Sequence, residues 1–554
     1  MQAVHPFSRK QRFGIGFLSG LIAGVIASIV MLILSVTFNG VSLPEAAGAT
    51  FTALVPLPVF AYLHQVIGGD AKHYLFYGIL VGQFLVFALS GGLCNLVAAS
   101  PRFVKNSASQ EQLHWLVGIA LAFILWLLTG LLFLPFTGAG IFGAALTIGV
   151  GNTMISLAIV GLVFALLFVY IQNWLVQYSL EKQEAAREAG GEGAVENGLS
   201  RRTLIGSSLA LIGLGALGVA AWRFITGSGP SAALTGTVQG YKSKVVPPPQ
   251  PNYGTIQPVA GLSAEITPND QYYIVSKNLV SDPVVNGTTW KLTVEGEVAH
   301  PFTLTYNELM ALPRKQQYES MMCISNDVGG EYMSSALWEG IPLANLLQRA
   351  GGTTPGATKV VLYAVDDYSD SIHLSKALEP TTLVAVKMNG ATLPTGHGFP
   401  ARLLVPGIYG MKHVKWINRI RVVHEDYQGY WQVRGWSDPA PIRMTTRIDT
   451  PLTGSLLPAN KPAYVAGVAF SGNKGISEVD VSFDGGHSWQ KATLKRPLSN
   501  LTWVLWEIPW QPAVGKYTVV ARAIDMEGNV QIPQIAPPLP DGATGYHAID
   551  IIVQ

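Results

Sequence analysis

The uneven distribution of charge along the 554-residue chain is the feature that most constrains its fold. The first 180 residues contain only nine charged side chains, and long uncharged stretches separate them. A lipid bilayer excludes ions, and a helix needs about 20 mostly apolar residues to cross its core. We therefore predict that this half is embedded in a membrane, and that the chain beyond about residue 230 is soluble.

Apolar stretches in the first half define an all-α transmembrane bundle at 1–180. Four of them are long enough to cross a membrane, at 14–37, 74–99, 114–135 and 151–172. The segment 46–66 contains Pro56, Pro58 and His64 and has no long run of Leu, Ile or Val. We interpret it as a re-entrant or interfacial segment, and a further span is the alternative. A fifth transmembrane helix is predicted at 203–225.

Basic loop residues indicate which loops face the cytoplasm. With five spans and a cytoplasmic N-terminus, nine Lys and Arg residues fall in inner loops, whereas Lys72 and Arg223 alone fall at outer edges. This pattern predicts a multi-pass protein of the cell membrane, in contact with lipid, whose C-terminal domains are extracytoplasmic, as a periplasmic domain would be.

Two linkers separate the membrane half from the soluble half. Residues 181–202 are acidic and rich in Ala and Gly, which predicts a cytoplasmic linker. Residues 226–258 contain the run PPPQP, which favours an extended spacer. The sequence SRRTLI at 200–205 resembles the twin-arginine export motif, which directs folded, cofactor-loaded domains across a membrane. An ordinary basic flank of the fifth span is the alternative interpretation.

The soluble half has two patterns. Residues 259–449 mix strand-like runs with helical ones: we predict a helix at 337–351, and two strands joined by a glycine turn at 401–410 and 414–423. From 450 to 554, strand-like runs such as YVAGVAF and EVDVSFD alternate with turn signals, which predicts a small antiparallel β-sandwich.

Composition and cysteine content exclude several functions. A formal net charge of +2 argues against a nucleic-acid partner, because phosphate binding needs a basic surface. Cys323 is the soluble half's single cysteine, and it is either a buried inert thiol or a thiolate ligand or nucleophile. No Cys-x-x-Cys accompanies it, which disfavours structural zinc. Haem b is not expected, because His64, His73 and His114 sit near span ends.

Four ordered segments then carry a family resemblance over about 260–554. They are YESMMCISNDVGGEYMSSALWEGIPLANLL (318–347), YAVDDYSDSIHLSKAL (363–378), GHGFPARLLVPGIYGMKHVKWINRIRV (396–422) and AGVAFSGNKGISEVDVSFDGGHSWQKATL (466–494). In this order they resemble the sulfite oxidase family. The resemblance implies an α+β molybdopterin domain at 259–449 and an immunoglobulin-like domain of the dimerisation type at 450–554.

The resemblance also implies a metal site and its cofactor, molybdenum bound by molybdopterin. Cys323 would be the metal ligand, and Asn326 would shape the catalytic pocket. The residues implied to contact the pterin or its phosphate are Asp367, His397, Arg402, His413 and Lys415, together with Lys277 and Asn278 by a looser match. The chain departs from true sulfite oxidases in two motifs: Asn326 is followed by Asp327 and Val328 where the family has an arginine, and Val468 stands in place of the active-site tyrosine.

These features predict a membrane-anchored molybdenum oxidoreductase that transfers an oxygen atom to or from a small molecule outside the cytoplasm. The missing arginine and tyrosine disfavour efficient sulfite oxidation. An electron-transfer partner is required but is not identified by the sequence, and a homodimer or a larger membrane complex is possible. The alternative function is a non-catalytic structural or interaction subunit of a membrane complex that retains the fold.

Overall fold

The computed structural model describes residues 7–38, 40–67, 71–98, 110–146, 148–188, 245–246, 259–279 and 282–554. It divides the chain into two compact units. The first comprises Met1–Pro230 with Asn278–Ser281, and the second comprises Ser231–Lys277 with Asp282–Gln554. The fifth span predicted at 203–225 and most of the two predicted linkers lie outside the described residues.

Four long helices form the core of the first unit. They are α1 (Arg9–Thr37), α4 (Ala71–Ala98), α5 (Gln110–Leu128, extended through a π-turn to Phe136) and α6 (Gly149–Glu188). Each contains a segment that is long and apolar enough to cross a membrane, at the places predicted from the sequence. These four helices are therefore candidate membrane spans.

Glycines allow α1 and α4 to pack closely. A Cβ atom at Gly16 would lie 2.4 Å from the carbonyl oxygen of Gly91, and one at Gly20 would lie 2.4 Å from that of Phe87. Helices in membranes associate through such small residues because apolar surface alone gives them no drive to leave lipid. The sequence of α1 thus fixes its neighbour in the bundle.

The segment predicted to be re-entrant or interfacial forms two short helices. They are α2 (Leu43–Leu54) and α3 (Leu57–Ile67), and the chain is extended at Val55 between them because Pro56 follows. Helices of 12 and 11 residues are about 16–18 Å long, well short of a bilayer core of about 30 Å. Neither helix can cross a membrane alone.

Two sheets and three short helices build the first part of the second unit. The helices are α7 (Tyr306–Ala311), α8 (Leu343–Arg349) and α9 (Leu374–Ala377). The strands are β1 (Val245–Val246), β2 (Lys291–Gly296), β3 (Phe302–Thr305), β4 (Arg314–Met322), β5 (Met333–Pro342), β6 (Lys359–Ala364), β7 (Ser369–His373), β8 (Leu383–Met388), β9 (Ala391–Thr392), β10 (Arg402–Leu404) and β11 (Ile417–Val423). One sheet has the order β1-β4-β5-β8-β10 with β9 beside β8, and the other has β3-β2-β11-β6-β7. Both sheets contribute to one hydrophobic core.

Two sequence predictions are corrected here. The predicted helix at 337–351 is a strand up to Pro342, and the helical part is only Leu343–Arg349. The strand lies between β4 and β8 and is buried on both faces, so its apolar residues do not alternate. The predicted pair at 401–423 does form strands, but β10 and β11 belong to different sheets, and the chain between them crosses from one to the other.

The C-terminal part is a β-sandwich. Its strands are β12 (Thr445–Thr450), β13 (Leu456–Leu457), β14 (Ala463–Phe470), β15 (Ile476–Ser482), β16 (Gln490–Lys491), β17 (Thr493–Leu494), β18 (Val504–Trp510), β19 (Gly515–Asp525) and β20 (His547–Val553). The sheets have the orders β12-β14-β18-β17 and β13-β20-β19-β15-β16, and one core contains side chains from both. The prediction of two packed antiparallel sheets agrees with this arrangement, except that β13 pairs in parallel with β20.

Candidate cofactor site

A cavity of about 800 Å³, counted with its opening to solvent, lies in the second unit. Six chain segments line it: 273–277, 321–325, 366–368, 396–402, 410–416 and 431–436. The end of β4 and the chain segment that crosses from β10 to β11 thus meet at this cavity.

Cys323 lies at the wall of this cavity, directly after β4 ends at Met322. Its thiol is buried, with 7% of the residue exposed, and its Sγ atom lies 3.0 Å from the hydroxyl of Ser325. Burial raises the pKa of the thiol, which opposes a free thiolate. A coordinated metal cation would reverse that effect, because ligation stabilises the deprotonated sulfur.

Arg402 supplies a buried positive charge to the same cavity. Its guanidinium donates to the carbonyl oxygens of His397 (3.1 Å) and His413 (3.4 Å) and contacts the sulfur of Met321 (3.2 Å). Its Nε atom has no hydrogen-bond partner in the part of the chain that the structure describes, and no carboxylate there lies within 4.0 Å of it. Burial lowers its pKa. A buried cation without a counter-ion is costly, so this position favours an anionic ligand.

Three more predicted residues border the cavity. The Nε2 atom of His397 lies 2.8 Å from the carbonyl oxygen of Asn269, and burial lowers the pKa of its imidazole to about 4. Lys415 donates to the carbonyl oxygen of Gly396 at 3.0 Å. Lys277 lies on the segment 273–277, with its ammonium group 5.7 Å from the centre of the Tyr430 ring. All three add donors or positive charge to the walls.

His413 also lines the cavity and is held as a neutral imidazole. Its Nε2 atom lies 3.1 Å from the carbonyl oxygen of Ile408, which can only accept, so Nε2 carries the proton. Its Nδ1 atom accepts from the backbone N–H of Val405 at 3.4 Å. Burial lowers its pKa to about 3. The imidazole is therefore fixed in orientation and uncharged at neutral pH.

Three predicted residues do not line the cavity. The amide oxygen of Asn326 accepts from the backbone N–H of Tyr332 at 2.7 Å, so this residue shapes the loop that follows Cys323. Asp367 occupies a left-handed turn position with φ of 62°, and its neighbour Asp366 faces the cavity instead. Asn278 is buried and groups with the first unit.

Sequence reasoning missed a buried ion network beside the cavity. The ammonium of Lys412 donates to Asp370 (2.9 Å) and Asp438 (3.0 Å), and Asp438 also accepts from Lys359 at 2.7 Å. Lys412 and Asp370 are almost wholly buried. The cavity residue Tyr368 lies 3.2 Å from Asp370. In the sequence nothing distinguishes Lys412 from an exposed lysine, because burial is decided by tertiary packing.

Part of the cavity wall is aromatic, and this feature was not predicted from the sequence either. Trp431 and Trp436 stack with ring centres 4.2 Å apart, and Trp416 and Tyr273 contribute further rings. The spacing of Trp431 and Trp436 in the run YWQVRGW was the available signal. The stacked indoles give the cavity a flat apolar wall.

The residues present fit a molybdenum-pterin cofactor. The cavity offers a soft sulfur donor, a buried guanidinium whose Nε lacks a partner, and the buried hydroxyl of Tyr273, which also lacks one among the described residues. In the described part of the chain no cluster of three or more His, Cys, Asp or Glu could hold a metal ion. A metal at Cys323 therefore needs most of its ligands from the cofactor itself, as a pterin dithiolene provides.

Comparison with known proteins agrees with this geometry. Residues 280–431 match the oxidoreductase molybdopterin binding domain, and residues 442–539 match the Mo-co oxidoreductase dimerisation domain. The chain is 30% identical over 335 residues to sulfite oxidase of Arabidopsis thaliana, covering 83% of that protein and 49% of this chain. The chain belongs to the sulfite oxidase family of molybdenum-cofactor oxidoreductases. The family resemblance inferred from the sequence, and with it the molybdenum-pterin cofactor, is confirmed.

Two further similar proteins are matched over a smaller share of their own length. Mitochondrial sulfite oxidase of Mus musculus is 30% identical over 320 residues, which are 49% of this chain and 58% of that protein. The sulfane dehydrogenase SoxCD from Paracoccus pantotrophus is a structural neighbour with 21% identity and a TM-score of 0.46, covering 52% of this chain and 81% of that one. The chain thus spans little more than half the length of its mammalian relatives.

Proposed function

We propose that the chain is a membrane-anchored oxidoreductase whose second unit binds a molybdenum-pterin centre at Cys323 and transfers an oxygen atom to or from a small molecule outside the cytoplasm. The observation that carries the proposal is the presence, at the walls of one cavity, of a buried thiol and a buried guanidinium that has no carboxylate of the described residues within 4.0 Å. A non-catalytic module would gain nothing from such a costly arrangement.

The chain's own residues would hold and orient the cofactor. When bound, the cofactor would supply two-electron oxygen-atom transfer at molybdenum. Cys323 would bind the metal as a thiolate, which is a soft ligand that molybdenum accepts. Arg402 and Lys415 would bind the anionic groups of the pterin, while His397 would offer a hydrogen bond. The stacked rings of Trp431 and Trp436 would reduce the access of water to the cavity.

The cavity favours a neutral substrate over sulfite. Sulfite is a dianion, and its dehydration must be offset by charge-assisted hydrogen bonds of about 1.5–3 kcal/mol each. With Arg402 and Lys415 assigned to the pterin, the remaining cationic side chain at the described walls is Lys277. Asp327, Val328 and Val468 do not line the cavity, so no residue at the family's arginine or tyrosine position faces the substrate.

No other arginine replaces the missing one in the described structure. Arg434 stacks on the ring of Tyr430, with its guanidinium carbon 3.7 Å from the ring centre, and Arg443 does not line the cavity. The loss of two donors to the anion, one from arginine and one from tyrosine, corresponds to about 10²–10⁴ in catalytic efficiency. A neutral oxygen-atom donor such as a sulfoxide or an N-oxide suits an aromatic opening better.

The test is a pair of steady-state assays on the detergent-solubilised full chain. One uses sulfite with an artificial electron acceptor, and the other uses sulfoxides or N-oxides with a reduced dye. We expect turnover in the second assay. The kcat/KM for sulfite in the first assay should be at least about 10²-fold lower than the kcat/KM for the oxygen-atom donor in the second. Sulfite turnover near the diffusion limit would overturn the substrate assignment.

The location of the second unit rests on loop charge and on the candidate spans. We propose that the loop at 101–113 is cytoplasmic and that residues 226–554 are extracytoplasmic. Reporter fusions at Ser109 and at the C-terminus should label opposite faces of the membrane. Labelling of one face by both would contradict this topology. Replacement of Arg201 and Arg202 by lysine should block export if SRRTLI is an export motif, and normal export would reduce it to a topology signal.

A further inference from the structure

Glu319 is a buried acid that the cofactor site does not explain. It lies on β4, four residues before Cys323, and none of it is exposed. Because side chains alternate along a strand, Glu319 and Met321 point to the same face of β4. Gln317 donates from its Nε2 atom to Glu319 Oε2 at 2.9 Å. The other oxygen, Oε1, has no hydrogen-bond partner among the described residues.

That oxygen faces an atom which also carries a lone pair. Glu319 Oε1 lies 3.9 Å from His413 Nδ1. Since Nε2 of His413 carries the ring's proton and donates to Ile408, the neutral ring has no N–H to offer Glu319. The single lone pair of Nδ1 makes only a long contact of 3.4 Å with the backbone N–H of Val405, and it can be shared with a second donor. An ionised carboxylate and an imidazole lone pair repel each other. One proton between Oε1 and Nδ1 turns that repulsion into a hydrogen bond after a small rotation of the carboxyl group.

The charged and titratable groups around Glu319 decide which residue holds that proton. Those facing it are Arg402 on β10, Lys376 on α9, His413 on the crossing between the sheets and Tyr272 on the preceding segment. Burial raises the pKa of Glu319 to about 8, although the hydrogen bond from Gln317 and the charges of Arg402 and Lys376 lower it. Burial lowers the pKa of His413 to about 3. The proton therefore resides on Glu319 at neutral pH.

We propose that Glu319 is a neutral carboxylic acid in the folded protein, that it directs its proton toward His413 Nδ1, and that its neutrality leaves the charge of Arg402 for the anionic groups of the cofactor. The last step rests on the proposed function. Glu319 acts here as a positioning residue, because it affects the ligand through Arg402. An ionised Glu319 would give the guanidinium a counter-ion within the core and weaken its attraction for the cofactor.

A consequence for stability follows with a definite sign. In the unfolded chain Glu319 ionises near its ordinary pKa of 4.5, whereas in the folded protein it ionises near 8. Between these values the folded state binds one proton more than the unfolded state. The contribution of this residue is fully present below about pH 4.5 and is lost as the pH rises toward 8. Glutamine, which cannot ionise, removes this dependence.

The direct test compares apparent unfolding temperatures of wild type and Glu319→Gln at pH 5, 7 and 9, on full chains purified from cells that lack the cofactor. We expect the two proteins to be similar at pH 5, and the variant to unfold several degrees higher than wild type at pH 9. The control is Glu331→Gln, which removes an exposed acid of the same unit, and the effect assigned to Glu319 is the change with pH that Glu319→Gln shows beyond this control. A pH-independent difference for Glu319→Gln would overturn the proposal.

A variant that failed to fold would overturn it too. Glutamine has the shape of the neutral acid, can accept from Gln317 and can donate to His413. If the protein folds only with an ionised Glu319, the variant will not fold, and that result contradicts the proposal. This test uses no molybdenum, and its failure is therefore distinct from failure of the proposed function.

The proposed effect of Glu319 on Arg402 is tested with protein that contains the cofactor. For wild type we expect activity to fall at least about three-fold between pH 7 and pH 9, in parallel with ionisation near 8, and for Glu319→Gln we expect a flatter profile. After incubation at pH 9, Glu319→Gln should also retain more molybdenum than wild type. Equal alkaline losses in the two proteins would overturn the role assigned to Arg402.

Discussion

At the scale of single residues, Arg402 is the most deeply buried of the Lys and Arg residues that line the cavity. Its guanidinium is held by two backbone carbonyls and a sulfur, and it lies 5.2 Å from the centre of the Trp338 ring. These contacts fix its direction without neutralising its charge. The apoprotein should therefore be strained electrostatically at this position, and an anionic ligand should relieve that strain.

Replacing Arg402 by methionine should have opposite effects on two quantities. The apoprotein should unfold at the same or a higher temperature, because an unpaired buried charge is removed. Molybdenum content should fall at least about ten-fold, because the anionic group of the cofactor loses its partner. Arg419→Met is the matched control: Arg419 is a half-buried cation that lies 3.6 Å from Glu295 and stacks on Tyr363 at 3.8 Å, and its replacement should change neither quantity strongly. Full molybdenum content in Arg402→Met would contradict this account.

Residues with distinctive chemistry in a family motif were predictable, and residues with a conformational role were not. Cys323, Arg402 and His413 line the cavity as the sequence indicated. Asn326 and Asp367 lie within the same motifs, but they set the path of loops, one through a backbone hydrogen bond and one through a left-handed turn. A motif marks both kinds of residue alike, so sequence cannot separate binding from loop shaping.

At the scale of elements, the crossing from β10 to β11 places the site. It leaves one sheet at Leu404, enters the other at Ile417 and carries His413 and Lys415 between them. The ammonium of Lys412 fastens this crossing to Asp370, at the second residue of β7. The prediction of two strands joined by a glycine turn did not include this geometry. The sequence pattern of two such strands is the same whether they pair with each other or with other strands.

Replacing Lys412 by methionine should loosen this crossing. The change leaves Asp370 and Asp438 without a shared cation, and breaking a buried ion pair in this way costs about 3–5 kcal/mol of the free energy of unfolding. Denaturant unfolding of the full chain in detergent measures the loss. Lys474→Met removes an exposed lysine that pairs with Glu527, and should cost less than about 1 kcal/mol. Equal losses in the two variants would show that the network does not stabilise the crossing.

At the scale of the whole molecule, the chain combines a helical unit that can lie in a membrane with a unit of the sulfite oxidase family. Charge distribution predicted this division, because the absence of ionic side chains over long stretches is a property of sequence alone. The order of strands was not predictable in the same way, since pairing depends on contacts between distant segments. Motifs therefore located the cofactor domain before its sheets could be drawn.

The C-terminal sandwich leads us to expect a homodimer, since residues 442–539 match a dimerisation domain. The outer strands β12 and β17 of one sheet, and β13 and β16 of the other, leave edges where a second copy can pair. Light scattering of the full chain in mild detergent, corrected for bound detergent, should give the mass of two 59.4 kDa chains. A mass of one chain across micromolar concentrations would count against dimerisation.

The most direct test of the central claim is the molybdenum content of the purified full chain, measured with turnover on the same samples. Protein from cells that make the cofactor should contain about one molybdenum per chain, and so should the control Cys94→Ser, which changes the chain's other cysteine. Cys323→Ser should remain folded but lose at least about 10²-fold in turnover, because serine oxygen is a harder ligand than thiolate. Absence of molybdenum from the wild-type protein, or full turnover in Cys323→Ser, would contradict the assignment of this cavity as the molybdenum site.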